Sequence, residues 1–130
     1  MRRTFKNHHF VRWMRKTELN DSILCEAVAE MVSGLIDADL GGGVVKKRVP
    51  LPGRGKSGST RTLLATNKGD RWFFVLGFEK NERENIGTKE LIALRLLADD
   101  YLGQSDKNLD ALISSGTMQE ICHENKKNSA

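Results

Sequence analysis

The sequence predicts one domain in which helices flank a block of strands, and three observations carry that reading. Apolar residues recur at helical spacing in two stretches, one following Asn20 and one following Thr88. Between them, residues 44–78 form short apolar or alternating segments separated by Gly, Pro and Asn. A chain of 130 residues suffices for one core and falls short of two. With 38% hydrophobic and 29% charged residues, the composition suits a folded protein with large solvated faces and argues against a disordered one.

Each element has a local reason. Residues 3–6 read as a short strand, and residues 8–16 as a helix with Phe10, Trp13 and Met14 on one packing face. Residues 1–16 hold six Lys or Arg and no acid, whereas Thr17 to Asp39 hold six carboxylates and no Lys or Arg. Asn20 or Asp21 is the N-cap of a helix reaching about Leu35, with Leu24, Ala27, Val28, Met31 and Leu35 as its recurring apolar stripe. The two helices are expected to pair as an antiparallel hairpin of complementary charge. Gly41, Gly42 and Gly43 end any helix, because each loses too much backbone freedom to be held in one.

Val44–Val49 then reads as a strand that places Lys46 and Arg48 on one face and Lys47 on the other, closed by Pro50 and Pro52. Residues 53–59 form a glycine-rich loop, residues 61–67 a second strand, and residues 68–70 a turn. Arg71–Phe78 is nearly continuous in apolar residues, the mark of a central strand covered on both faces. Thr88 reads as the N-cap of a helix to about Leu102, with Leu91, Leu94, Leu97, Ala98 and Tyr101 buried. A shorter helix over 106–114, an edge strand within 117–122 and a frayed tail over 123–130 complete the prediction.

Cys25 and Cys122 belong to no CxxC pattern and have no His at zinc-ligand spacing. The expectation is two unpaired thiols in a reducing cytosol, with no disulfide framework and no metal site. The longest apolar run, Trp72 to Leu76, is far shorter than a membrane span, and the N-terminal segment lacks an apolar core, so a cytoplasmic protein without a membrane partner is expected.

Charge is unevenly placed. Leu40 to Gly69 carries seven Lys or Arg and no carboxylate, so with a formal charge of +4 the remainder stands at −3 (4 minus 7). Such a segment points to a polyanion as partner. Gly55-Lys56-Ser57 is not a nucleotide-binding loop, because the first glycine that motif requires is replaced by Pro50 and a strand follows instead of a helix. A dinucleotide motif fails similarly, its third glycine falling at Lys46. The exit of the central strand lies near the start of its antiparallel neighbour, which brings Lys80 and Arg83 toward Arg61. There they form a cluster able to hold phosphates through paired charge-assisted hydrogen bonds.

The segments Gly41 to Val49, Pro52 to Gly58, Arg61 to Leu64 and Gly77 to Ile86 together resemble the RelE/ParE toxins of type II toxin-antitoxin systems, in the RelE-type or HigB-like branch, over about residues 5–103. The resemblance implies an α+β fold, with an N-terminal strand and helical hairpin on a twisted, mostly antiparallel sheet. It implies a single toxin domain over 1–130, acting as a ribosome-dependent messenger-RNA endonuclease that needs no metal or other cofactor. Arg61 matches the arginine that opens a core strand in these toxins. With Arg83 it is assigned to the scissile phosphate, and Glu82 is the best available general base. Lys46, Lys47, Arg48, Arg54, Lys56 and Lys80 are assigned to the RNA backbone. The implied partners are the message on the ribosome and a cognate antitoxin with a helix-turn-helix domain, through which alone operator DNA is contacted.

Thr60 stands where these toxins commonly carry an aromatic residue, and Tyr101, on an apolar helix stripe, reads as core. His8, His9 and His123 read as surface residues. The absence of a clear acid-base pair keeps two other readings open, a ParE-like inhibitor of DNA gyrase that catalyses nothing and a RelE-fold binding module without toxicity.

Overall fold

The computed structural model describes residues 1–53, 59–83 and 85–123. Arg54, Lys56 and most of the expected glycine-rich loop lie outside these residues, as does nearly all of the expected frayed tail. The elements follow in the order β1 (Arg3–Asn7), α1 (His8–Met14), α2 (Asp21–Val32), β2 (Ala38–Gly41), β3 (Val44–Pro50), β4 (Ser59–Thr66), β5 (Arg71–Glu79), α3 (Thr88–Leu102), α4 (Asp106–Ser114) and β6 (Met118–Ile121). The fold is α+β: one six-stranded sheet in the order β2-β3-β4-β5-β1-β6, antiparallel at every junction except β1 with β5.

Alternation along the strands separates two cores. On one face Val45, Val49, Leu64, Trp72 and Phe74 meet Phe10 and Met14 of α1 and Leu24, Val28 and Met31 of α2. On the other, Phe5, Val44, Leu63, Ala65, Phe73 and Val75 meet Ala98 of α3 and Leu109 of α4. β5 contributes large side chains to both faces, as its apolar run predicts. A register shift opposite Leu63 and Leu64 lets Val75 and Leu76 both join the second face.

Local chemistry sets the boundaries. Asn7, Asn20 and Ser105 cap α1, α2 and α4 through side-chain oxygens that accept from Phe10, Ile23 and Asn108 backbone N–H groups. Thr88 begins α3 and is not its cap; Gly87 holds that position, and Glu90 turns back to accept from the Gly87 N–H. Gly41 to Gly43 all have positive φ and close the β2–β3 hairpin, a strand pair hidden in the sequence because its first member is only four residues long. Trp13 confirms the packing role of the first aromatic stripe. Its ring lies so close over Gly77 that a Cβ there would sit 2.3 Å from it, so only glycine fits beneath.

Two expectations are corrected. The acids of α2 serve the sheet: Asp21 pairs with Lys6 at 2.7 Å and Glu30 with Lys47 at 2.8 Å, so charge complementarity joins helix to strand where helix-to-helix pairing was expected. The cysteines are not free thiols. Cys25 of α2 and Cys122, just past β6, form a disulfide with Cα atoms 5.5 Å apart. At a sequence separation of 97, no spacing motif announces the bond; it exists because β6 returns to the face that α2 covers. Among the described residues, no helix is long and apolar enough to cross a membrane.

Candidate nucleic-acid interface

The sheet register builds a row of cations. Arg48 of β3 lies opposite Arg61 of β4, which lies opposite Phe78 of β5. With neighbouring strands about 4.8 Å apart, these three Cα atoms span roughly 10 Å. Their side chains share the second face. Arg83, in the turn after β5, completes the row: its guanidinium carbon lies 4.8 Å from the centre of the Phe78 ring. Lys46 occupies the next row on the same face, opposite Leu63, which in turn faces Leu76.

Two arginines directly opposite each other repel unless an anion lies between them. Arg48 is exposed, and its Nε stands 3.6 Å from Asp37 Oδ1, a loose surface pair. Arg61 is half-buried and donates from Nη1 to the Ser59 carbonyl at 3.5 Å, and it has no ion pair with another described residue. Among the described residues the pair is therefore short of negative charge, the setting in which an external anion would be favoured.

The other predicted residues divide sharply. Lys47 points to the opposite face, where it is buried against α2. Besides pairing with Glu30, its Nζ donates to the Leu35 carbonyl at 2.9 Å, so it ties α2 to β3. Glu82 is exposed, and its Oε1 accepts from the Glu79 N–H at 2.7 Å, closing the turn after β5. Arg83 donates to Glu90 at 2.7 Å; this bond, followed by the one from the Gly87 N–H, holds the Glu90 carboxyl below the usual carboxylate range. Lys80 is exposed beside this turn.

Sequence reasoning missed three participants. Phe78 reads as one more residue of an apolar strand, and only the register shows that it lies beside Arg61. Glu90 fits the pattern of a first-turn acid on a helix, yet it also fixes Arg83. Tyr101 is half-buried, packs 5.1 Å from the Phe73 ring, and accepts a 3.3 Å hydrogen bond at Oη from Asn7 Nδ2. Burial pushes its phenol pKa up, outweighing the opposing hydrogen bond from Asn7.

A six-stranded α+β sheet with helices on both faces and an arginine row at one end defines a class of small, cation-bearing proteins. The family model for the RelE toxin of the RelE/RelB toxin-antitoxin system matches residues 2–121. The chain therefore belongs to the RelE toxin family, and that membership implies an antitoxin partner. The match takes in α4 and β6. No curated protein matches the chain.

Proposed function

We propose that this toxin acts by cleaving messenger RNA on the ribosome, with Arg61, between Arg48 and Arg83, at its phosphate-binding centre. The observation that carries this reading is the directly opposed arginine pair, flanked by Arg83 on Phe78, on a face where no described carboxylate pairs with Arg61. In the reaction the RNA 2′-oxygen attacks the adjacent phosphorus, the P–O2′ bond forms and the P–O5′ bond breaks. The 2′ proton leaves to solvent or base and the 5′-oxygen gains one. Negative charge grows on the non-bridging oxygens, and Arg61 and Arg83 stabilise it; Arg48, Lys46 and Lys80 hold the flanking backbone.

This assignment asks little of Glu82, whose accepting oxygen already serves the Glu79 N–H, so preorganised positive charge carries most of the rate. The antitoxin is proposed to carry a helix-turn-helix domain and to cover this face. The test is a defined translation reaction with the message ends mapped by primer extension. Codon-phased cuts are expected from the wild type, with rates reduced about 100- to 1,000-fold in Arg61→Ala, the usual cost of one preorganised donor. Intact message together with inhibited DNA supercoiling overturns the nuclease in favour of gyrase binding.

A further inference from the structure

Next to the arginine row lies a groove of about 330 Å³ between β5, the β1–α1 junction and α3. Its walls are mainly apolar, from Leu76, Leu94 and Leu97, while Asn7, His8, His9, Glu90 and Tyr101 are its polar residues. Two links make it continuous with the row. Leu76 stands two residues before Phe78 on the same face of β5, and Glu90 at the groove accepts from Arg83, whose guanidinium lies over Phe78.

The hydrogen bonds at the groove are directional. Asn7 Oδ1 is committed to the Phe10 N–H as the cap of α1, so the amide presents Nδ2 to Tyr101 Oη as a donor. Tyr101 is thus an acceptor from Asn7, and among the described residues no group takes its own proton. Burial keeps the phenol neutral, so an O–H remains to donate into the groove.

We propose that this groove is a base-recognition subsite that takes one unpaired nucleobase of the bound RNA, with Tyr101 donating to an acceptor on the base edge. The volume lies at the lower end of small-molecule sites, roughly 300–1,000 Å³, which suits a single heterocycle and is short for a docked helix. Apolar walls with a few placed polar groups match a base, whose faces are apolar and whose edge carries donors and acceptors. The adjoining cations supply the phosphate contacts that hold the same strand. The inference rests on the proposed RNA cleavage and assigns the place where sequence preference arises.

The experiment uses ribosomes programmed with one message and single-turnover cleavage, with an abasic nucleotide placed in turn at each of the three codon positions. For the wild type, the abasic substitution at one position is expected to slow cleavage at least about tenfold. Tyr101→Phe is expected to slow the normal message about 5- to 10-fold and to show little further loss with that abasic message, since both changes remove the same contact. Ala93→Trp, which adds a ring at an exposed position lining the groove, is expected to lose the same positional preference. Circular dichroism confirms folding of both variants.

Equal abasic penalties in wild type and Tyr101→Phe, or wild-type behaviour of Ala93→Trp, overturn the subsite while leaving the nuclease intact. Loss of antitoxin binding in Ala93→Trp with unchanged cleavage also overturns it, in favour of a protein-docking groove. No cleavage of any message by the wild type defeats the nuclease reading itself and the subsite with it.

Discussion

The sheet carries two pairs of directly opposed arginines on one face, and they live in contrasting surroundings. At one end Arg3 lies opposite Arg71; at the other Arg48 lies opposite Arg61. The first pair is surrounded by acid. Arg3 bonds Glu120 at 2.9 Å, Asp106 at 3.0 Å and Asp110 at 2.8 Å, and Arg71 shares Asp106 at 2.5 Å. The Arg3 pKa is driven up above its ordinary value, led by the hydrogen bonds that Arg3 donates to Glu120, and its side chain is only 13% exposed. Among the described residues the second pair has one loose acid, Asp37, beside Arg48. The strands run parallel at the first pair and antiparallel at the second, yet both set arginine against arginine, so the counter-charges distinguish them: a neutralised pair joins α4 and β6 to the sheet, while the other is the pair proposed to bind an anion.

The disulfide belongs to the neutralised end, because Cys122 follows β6, the strand that carries Glu120. Breaking it gives the largest expected effect. Cys25→Ser, or reduction of the wild type, is expected to lower stability by about 2–5 kcal/mol, since closing a loop of nearly a hundred residues restricts the unfolded chain strongly. Denaturant unfolding with and without reductant checks this, and a variant insensitive to reductant that matches the reduced wild type isolates the bond.

Arg61→Ala probes the other end. Its transition-state cost is about 3 kcal/mol in cleavage, yet its unfolding midpoint is expected to hold or rise, because a like charge opposite Arg48 is removed. A loss of stability comparable to the loss of rate would erase the distinction between the two pairs. Arg3→Ala should do the reverse, costing about 1–3 kcal/mol by leaving Glu120, Asp106 and Asp110 without their shared partner. Cleavage per folded molecule should be unchanged, which unfolding curves read beside single-turnover rates would show.

The smallest expected effect is a pH dependence. Hydrogen bonding to Arg3, helped by the charge of Arg71, holds the Asp106 carboxyl below its ordinary range. Its stabilisation is therefore present above about pH 3.9, the ordinary aspartate pKa, and is lost as pH falls through the depressed folded value. Asp106→Asn is expected to differ from wild type near neutral pH and to converge with it in acid. A gap that widens below pH 4, in unfolding measured from pH 3 to 7, refutes that pairing.

Much of this architecture is legible along the chain. The α2 stripe, the split of Lys46 and Arg48 from Lys47, and the two-faced β5 all follow from side-chain periodicity, a local property. Strand β2 was hidden because four residues and a glycine turn give little pattern. Glu82 looked available as a base because its bond to Glu79 depends on the conformation of the turn. Tyr101 looked like simple core because its hydroxyl partner, Asn7, is remote in sequence.

Most helices and strands, the faces they bury and the place where positive charge accumulates follow from spacing along a few turns or strands, with β2 the exception. Folding alone brings Arg48 to Arg61, Arg3 to three carboxylates and Cys25 to Cys122. Each of these outcomes joins groups on separate elements, and what a charge or thiol does depends on the partner that folding brings to it.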